Sequence, residues 1–242
     1  MIQRHHHDHS HVHPPDKVHR HHLQLIADPA TILDDAGYER IHAAMHAGLD
    51  SVQVRGPGAS AREVLAAAQR LLPCASGQGV VVSVNDRADV ALALLPTRRA
   101  TRGGLIVPVG VHLGARSLPV GLVRRHLPLP FVGVSVHDLD EGIAAAEDGA
   151  DYLTFGHVFP TASHPGAPPA GLVRLRELVE AVEVPVFAIG GIDAGNLRDV
   201  LHTGATGVAV ISAILDAADP AAATAELRAI LNDDARHRIG PA

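Results

Sequence analysis

The chain has 242 residues and a formal charge of −6, and it is 47% hydrophobic but only 2% aromatic. Its single cysteine, Cys74, excludes a disulfide framework and a thiolate metal cluster, and its scattered basic residues argue against a nucleic-acid partner. No apolar run reaches the ~18 residues of a membrane span, and no signal-peptide core opens the chain, so a soluble, cytoplasmic protein with no membrane partner is expected.

The length suits one barrel-sized domain whose core is Val, Ile, Leu and Ala. Lys17 is the only lysine among twenty basic residues. Schiff-base chemistry needs a lysine amine, so aldolase and decarboxylase readings of that kind fall away.

In chain order, residues 1–21 come first as a His-rich arm. Residues 1–22 hold nine of the eighteen histidines. The composition predicts disorder and leaves two readings open, weak adventitious capture of Zn²⁺ or Ni²⁺, or a tail with no role. From residue 22 to 235, buried runs alternate with amphipathic ones. Strands are expected near 22–27, 51–55, 80–85, 109–113, 131–136, 151–156, 185–190 and 207–212. Helices are expected near 34–47, 60–72, 87–95, 119–126, 139–148, 169–182, 193–203 and 219–232. Residues 236–242 read as a flexible tail.

Eight strands alternating with eight helices predict an α/β fold, a single-domain (β/α)8 TIM barrel rather than a doubly wound sheet. No Gly-x-Gly-x-x-Gly turn follows the first strand, which counts against the alternative. The 96–108 connection is long and basic, and reads as an excursion.

In such a barrel, residues just past the strand ends converge on one face. Here they are Asp28, Gln53 with Arg55, Asn85-Asp86-Arg87, His112, Ser135 with His137, His157 with Thr161, Ser163 and His164, Gly190-Gly191, and Ile211-Ser212. The set is donor-rich and poor in paired carboxylates, which suits an anionic heterocycle better than a glycoside.

Gly190-Gly191 and the Ile211-Ser212 turn, taken to open the last helix, are candidate phosphate binders through backbone N–H groups, against the alternative of a simple tight turn. The Arg55 guanidinium fork suits a carboxylate or phosphate, or else a surface ion pair. Asp86 is either a Mg²⁺ ligand or a helix cap. His157 follows a strand end directly, and its imidazole suits proton transfer near neutral pH, against a structural histidine.

Seven motifs in order carry a resemblance: Gln53-Val-Arg55, Asn85-Asp-Arg87, Gly110-Val-His-Leu-Gly114, Gly133-Val-Ser-Val-His137, Asp151-Tyr with Phe155-Gly-His-Val-Phe-Pro-Thr161, Ala188-Ile-Gly-Gly-Ile192 and Val208-Ala-Val-Ile-Ser212. From about His22 to Leu231 the chain resembles the thiamine phosphate synthase/TenI family. That resemblance implies a (β/α)8 barrel acting on thiazole phosphate. The synthase branch typically carries Lys where Pro57 stands, a metal-binding Asp at Ser117 and Lys at His164. The TenI branch is similar to this chain in the histidine matched by His157.

The leading expectation is therefore a metal-independent isomerase, a TenI-type thiazole tautomerase with His157 as catalyst and no cofactor. Arg55, Asn85, Ser135, Thr161, Gly190, Gly191, Ile211 and Ser212 would bind the phosphorylated thiazole. One alternative is a divergent thiamine phosphate synthase using Asp86 and Mg²⁺. Another is a non-catalytic regulatory barrel that binds thiazole phosphate. A homo-oligomer is expected in each case.

Overall fold

The computed structural model describes residues 20–95, 108–163 and 165–239. The expectations for the arm before residue 20, for the 96–107 part of the basic connection and for His164 lie outside the described residues. Eight parallel strands close into a barrel in sequence order, with β8 pairing back onto β1. They are β1 (His22–Ala27), β2 (Ser51–Val54), β3 (Val81–Asn85), β4 (Val109–Leu113), β5 (Val132–Val136), β6 (Tyr152–Gly156), β7 (Val186–Ile189) and β8 (Gly207–Val210). The helices are α1 (Pro29–Leu33), α2 (Asp35–His46), α3 (Ala61–Gln78), α4 (Ala88–Leu94), α5 (Val120–His126), α6 (Leu139–Glu147), α7 (Gly171–Ala181), α8 (Leu197–Leu201), α9 (Ser212–Leu215) and α10 (Pro220–Ile239).

All eight expected strands form. The differences lie in the helices, and each has a local cause. α1 is too short for its periodicity to show. It starts on Pro29 and is capped by Asp28, whose carboxylate accepts from both the N–H and the hydroxyl of Thr31. α3 runs through Pro73, which has no N–H to donate, because Leu71 and Ala75 are buried on either side of it. Ser60 and Glu63 form a reciprocal cap at its start, and Gly79 ends it in the left-handed region at φ 66°. Ile211 opens the short α9 rather than the last helix, which begins separately at Pro220.

Alternation along the strands sorts the side chains into two populations. Leu23, Leu25, Val52, Val54, Val82, Val84, Val111, Leu153, Phe155, Ala188 and Val208 are buried in the aliphatic core. The other set shares a second register around the barrel: Gln24 pairs with Ser51, Gln53 with Ser83, Asn85 with His112, and Ser135 with Thr154. The barrel interior is thus polar and aromatic, where an aliphatic core was expected throughout. His22 stacks on Phe187 with centroids 4.6 Å apart, Phe187 stacks on Tyr152, and Tyr152 bonds His112. Small residues make room for them. A Cβ added to Gly133 would overlap the Tyr152 ring, and one added to Gly110 would overlap that of Phe131.

At the opposite end, Arg228 of α10 clasps the start of the barrel. Only 6% exposed, it donates to the His21 carbonyl at 2.8 Å, to the Gly48 carbonyl at 3.0 Å and to the Asp50 carboxylate. Among the described residues no helix is long and apolar enough to cross a membrane.

Candidate active site at the C-terminal face

Arg55, Asn85, Asp86, Ser135, His157, Thr161, Gly190, Gly191, Ile211 and Ser212 line one cleft of about 510 Å³. They come from six strand ends separated by up to 157 residues of chain, and barrel closure brings them together. Asp28 does not join them, since its carboxylate caps α1.

The β3 end carries the most unusual backbone. Asp86 is in the left-handed region at φ 60°, alone in this respect among the described non-glycine residues. Its N–H donates to the His112 carbonyl at 2.8 Å, which ties the turn to β4. The carboxylate reaches across the cleft rim, accepting from the Gly114 N–H at 3.0 Å, from the Ser117 hydroxyl, and from the Asn85 amide at 2.7 Å. It does not cap α4, whose first turn has no side-chain cap. The capping alternative for Asp86 is therefore set aside. Arg87 turns away to Asp89.

His112 closes the floor. It is 1% exposed, with one ring nitrogen 3.0 Å from the Tyr152 hydroxyl and the other 2.8 Å from the Ser135 hydroxyl and 3.2 Å from that of Thr154. Burial pushes its pKa down to about 4, with the Asp86 charge opposing and the Arg55 charge assisting. The ring is therefore neutral at pH 7 and orients the Ser135 and Thr154 hydroxyls. Burial likewise pushes Tyr152 up to about 12. Gln53 stands beside this floor, also 1% exposed, and its amide nitrogen has no hydrogen-bond partner in the protein. A buried unpaired donor bordering a cleft is suited to a ligand acceptor.

Arg55 lines the cleft and, among the described residues, is in no ion pair. Arg116, which the sequence reading passed over, lines it too. It sits in a turn without strand periodicity and only the closed barrel places it. His137, by contrast, is an exposed rim residue paired with Glu141.

The β7 loop explains its own glycines. Gly190 and Gly191 have φ values of 97° and 66°. A Cβ on Gly190 would lie 2.7 Å from His157 Cα, and one on Gly191 would lie 2.5 Å from the Pro160 carbonyl oxygen. Turn conformation and packing against the β6 loop account for both residues before any ligand is considered. Asn196 then holds the loop, its amide donating to the Gly191 carbonyl at 2.8 Å. Across the cleft, Ser212 begins α9. His157 is half-buried under this loop, with Nε2 3.3 Å from the Ala167 carbonyl oxygen.

The chain is thus a closed (β/α)8 barrel of the class that keeps its active site at the C-terminal face, and here that face holds a polar, arginine-bearing cleft suited to a small anionic molecule. The family model for thiamine monophosphate synthase matches residues 23–214, and the chain belongs to that family. It is 43% identical over 207 residues to the thiamine-phosphate synthase of Roseiflexus castenholzii, covering 85% of this chain and 86% of the relative. To that of Pyrococcus furiosus it is 38% identical over 195 residues, covering 81% and 88%. The solved structure of thiamine phosphate pyrophosphorylase from Pyrococcus furiosus superposes with a TM-score of 0.74 at 36% identity, covering 89% of this chain and 98% of that one.

These relatives overturn the isomerase expectation, because proteins so similar along the whole barrel carry the synthase name. Pro57, Ser117 and His164 taken singly suggest lost charge, but the assembled cleft holds Arg116 as well as Arg55 and seats the Ser117 hydroxyl on Asp86.

Proposed function

We propose that this barrel is a thiamine-phosphate synthase, a Mg²⁺-dependent transferase of thiamine biosynthesis that joins a pyrimidine pyrophosphate to a thiazole phosphate. The observation that carries the reading is Asp86, a strained left-handed aspartate free of any capping duty, whose carboxylate faces the rim of the cleft.

The donor set fits Mg²⁺. The Asp86 carboxylate and the Ser117 hydroxyl oxygen lie together, with the Asn85 amide N–H donating to the carboxylate and holding it in place, and Mg²⁺ commonly takes one or two carboxylates plus substrate phosphates. Bound there, the ion would neutralise charge on the pyrophosphate. One carboxylate where the synthase branch carries two means a weaker site and a larger share of coordination from the substrate.

The reaction forms a C–N bond from the thiazole nitrogen lone pair to the methylene carbon of the pyrimidine. The C–O bond to pyrophosphate breaks, and its electron pair leaves on the pyrophosphate oxygen. No proton has to move, so no acid–base residue is required and His157 is left with a packing role. Arg55 and Arg116 supply fixed positive charge where the leaving group gains negative charge. Gln53, with Ser135 and Thr154 oriented by His112, offers the hydrogen-bonding floor for the pyrimidine ring. The Gly190-Gly191 loop and the start of α9 offer N–H groups for the thiazole phosphate, with Thr161 on the rim.

The test is pyrophosphate release with both substrates present. Release that needs both substrates and Mg²⁺, and that falls in Asp86→Asn, supports the reading. Release that is indifferent to Mg²⁺ or to Asp86 contradicts it.

A further inference from the structure

Outside the cleft, the outer faces of α2 and α3 bring together three ligand-type side chains. His42 and His46 are one turn apart on α2, and Cys74, the single cysteine of the chain, stands on α3. An imidazole nitrogen of each histidine and the Cys74 sulfur all lie within 4.8 Å of one another. The two helices run in the same direction around the barrel, so their stripes align turn by turn. One turn earlier, Arg70 of α3 lies over the Tyr38 ring of α2 at 4.5 Å, and the next turn sets Cys74 beside the two histidines. The His42 and His46 rings are already 4.6 Å apart, centroid to centroid.

We propose that His42, His46 and Cys74 form a binding site for a Zn²⁺-class divalent ion that staples α2 to α3. Two nitrogens and one sulfur are a borderline-soft donor set that favours Zn²⁺ over Mg²⁺ or Ca²⁺. Ligand atoms bound tetrahedrally at about 2.0–2.3 Å stand about 3.5 Å apart. The present spread of up to 4.8 Å therefore needs a closing movement of roughly 1 Å, within reach of side-chain torsions. His42 and Cys74 are half-buried and His46 is exposed, so an entry path exists and the fourth position opens to water. Binding forms the metal–sulfur bond and releases the thiol proton to solvent.

The site lies toward the C-terminal ends of α2 and α3, at the end of the barrel opposite the cleft. That is also where the described chain begins, at Arg20 and His21. The sequence places seven further histidines before residue 20. They supply a competing set of imidazoles, and the test has to tell the two apart. The proposal does not depend on the transferase reading, because none of the three residues lines the cleft.

Co²⁺ added to the full-length, reduced protein separates the two sets. Cys74 is the sole thiol, so a sulfur-to-cobalt charge-transfer band reports this site and no cluster of histidines can produce it. The expected result is that band, with the visible d–d bands of a tetrahedral ion, both abolished by Zn²⁺ and absent in Cys74→Ser. Replacing both histidines, His42→Ala with His46→Ala, is expected to weaken Co²⁺ at the thiolate at least ~10-fold, with pyrophosphate-releasing activity unchanged. Co²⁺ bound without a thiolate band in the wild type overturns the proposal and assigns the metal to histidines elsewhere. A thiolate band that titrates with undiminished Co²⁺ affinity in the double histidine variant also overturns it.

Discussion

The buried His112 makes acid stability a direct test of the barrel floor. Its pKa is pushed from 6.5 to about 4 by burial, so the folded state holds the ring neutral while the unfolded chain protonates it near 6.5. Between these values the unfolded state binds more protons, and stability falls as the pH falls. The loss is absent well above pH 6.5, accumulates below it and is complete only below about pH 4. Its full size is 2.5 pH units at about 1.4 kcal/mol each, or about 3 kcal/mol, of which about 2 kcal/mol accrues between pH 7 and pH 5. Urea denaturation of the wild type and of His112→Gln at pH 7, 6 and 5 isolates the contribution. The variant lacks the titrating ring, and other groups cancel in the difference. The wild type should lose about 2 kcal/mol more than the variant over that range. Parallel curves would refute the burial argument, as would a wild type that gains stability on acidification.

Other expectations follow from the same geometry. Asp86→Asn should lower kcat/KM for pyrophosphate release on the order of 100-fold or more, and Ser117→Asp should lower the Mg²⁺ concentration giving half-maximal rate. A steady-state Mg²⁺ titration checks both. Gly133→Ala should destabilise the fold by about 1–3 kcal/mol in thermal denaturation, since the added methyl overlaps Tyr152, and Tyr152→Leu in the same chain should recover part of the loss. Arg228→Met removes the nearer of the two guanidinium groups on the largely buried Asp50 carboxylate, leaving Arg20 at 3.7 Å, and should cost up to about 3–5 kcal/mol in the same assay.

The strands were legible because each is a run of outward-facing Val, Leu and Ala, and that half of the barrel dictates composition strongly. The interior half was not. Gln24, Gln53, Ser83, His112 and Tyr152 are all buried although they come from five different strands, β1 to β4 and β6, so their burial depends on closure. Most cleft residues were found from the rule that barrel chemistry follows strand ends. Arg116 was missed because it lies three residues past β4 in a turn without periodicity.

The function was misjudged for a related reason. Substitutions at Pro57 and Ser117 read as lost charge, while the charge left in the cleft is a property of the assembled site. The histidine and cysteine cluster was invisible as well, since Cys74 is 28 residues from His46 and a lone cysteine argues against metal binding when counted alone.

The most direct measurement is mass-spectrometric detection of the coupled product after incubation with the pyrimidine pyrophosphate, the thiazole phosphate and Mg²⁺. The account expects thiamine phosphate and pyrophosphate in equal amounts, both lost when EDTA is added. Unconsumed pyrimidine pyrophosphate after prolonged incubation with folded, Mg²⁺-supplied protein would contradict it.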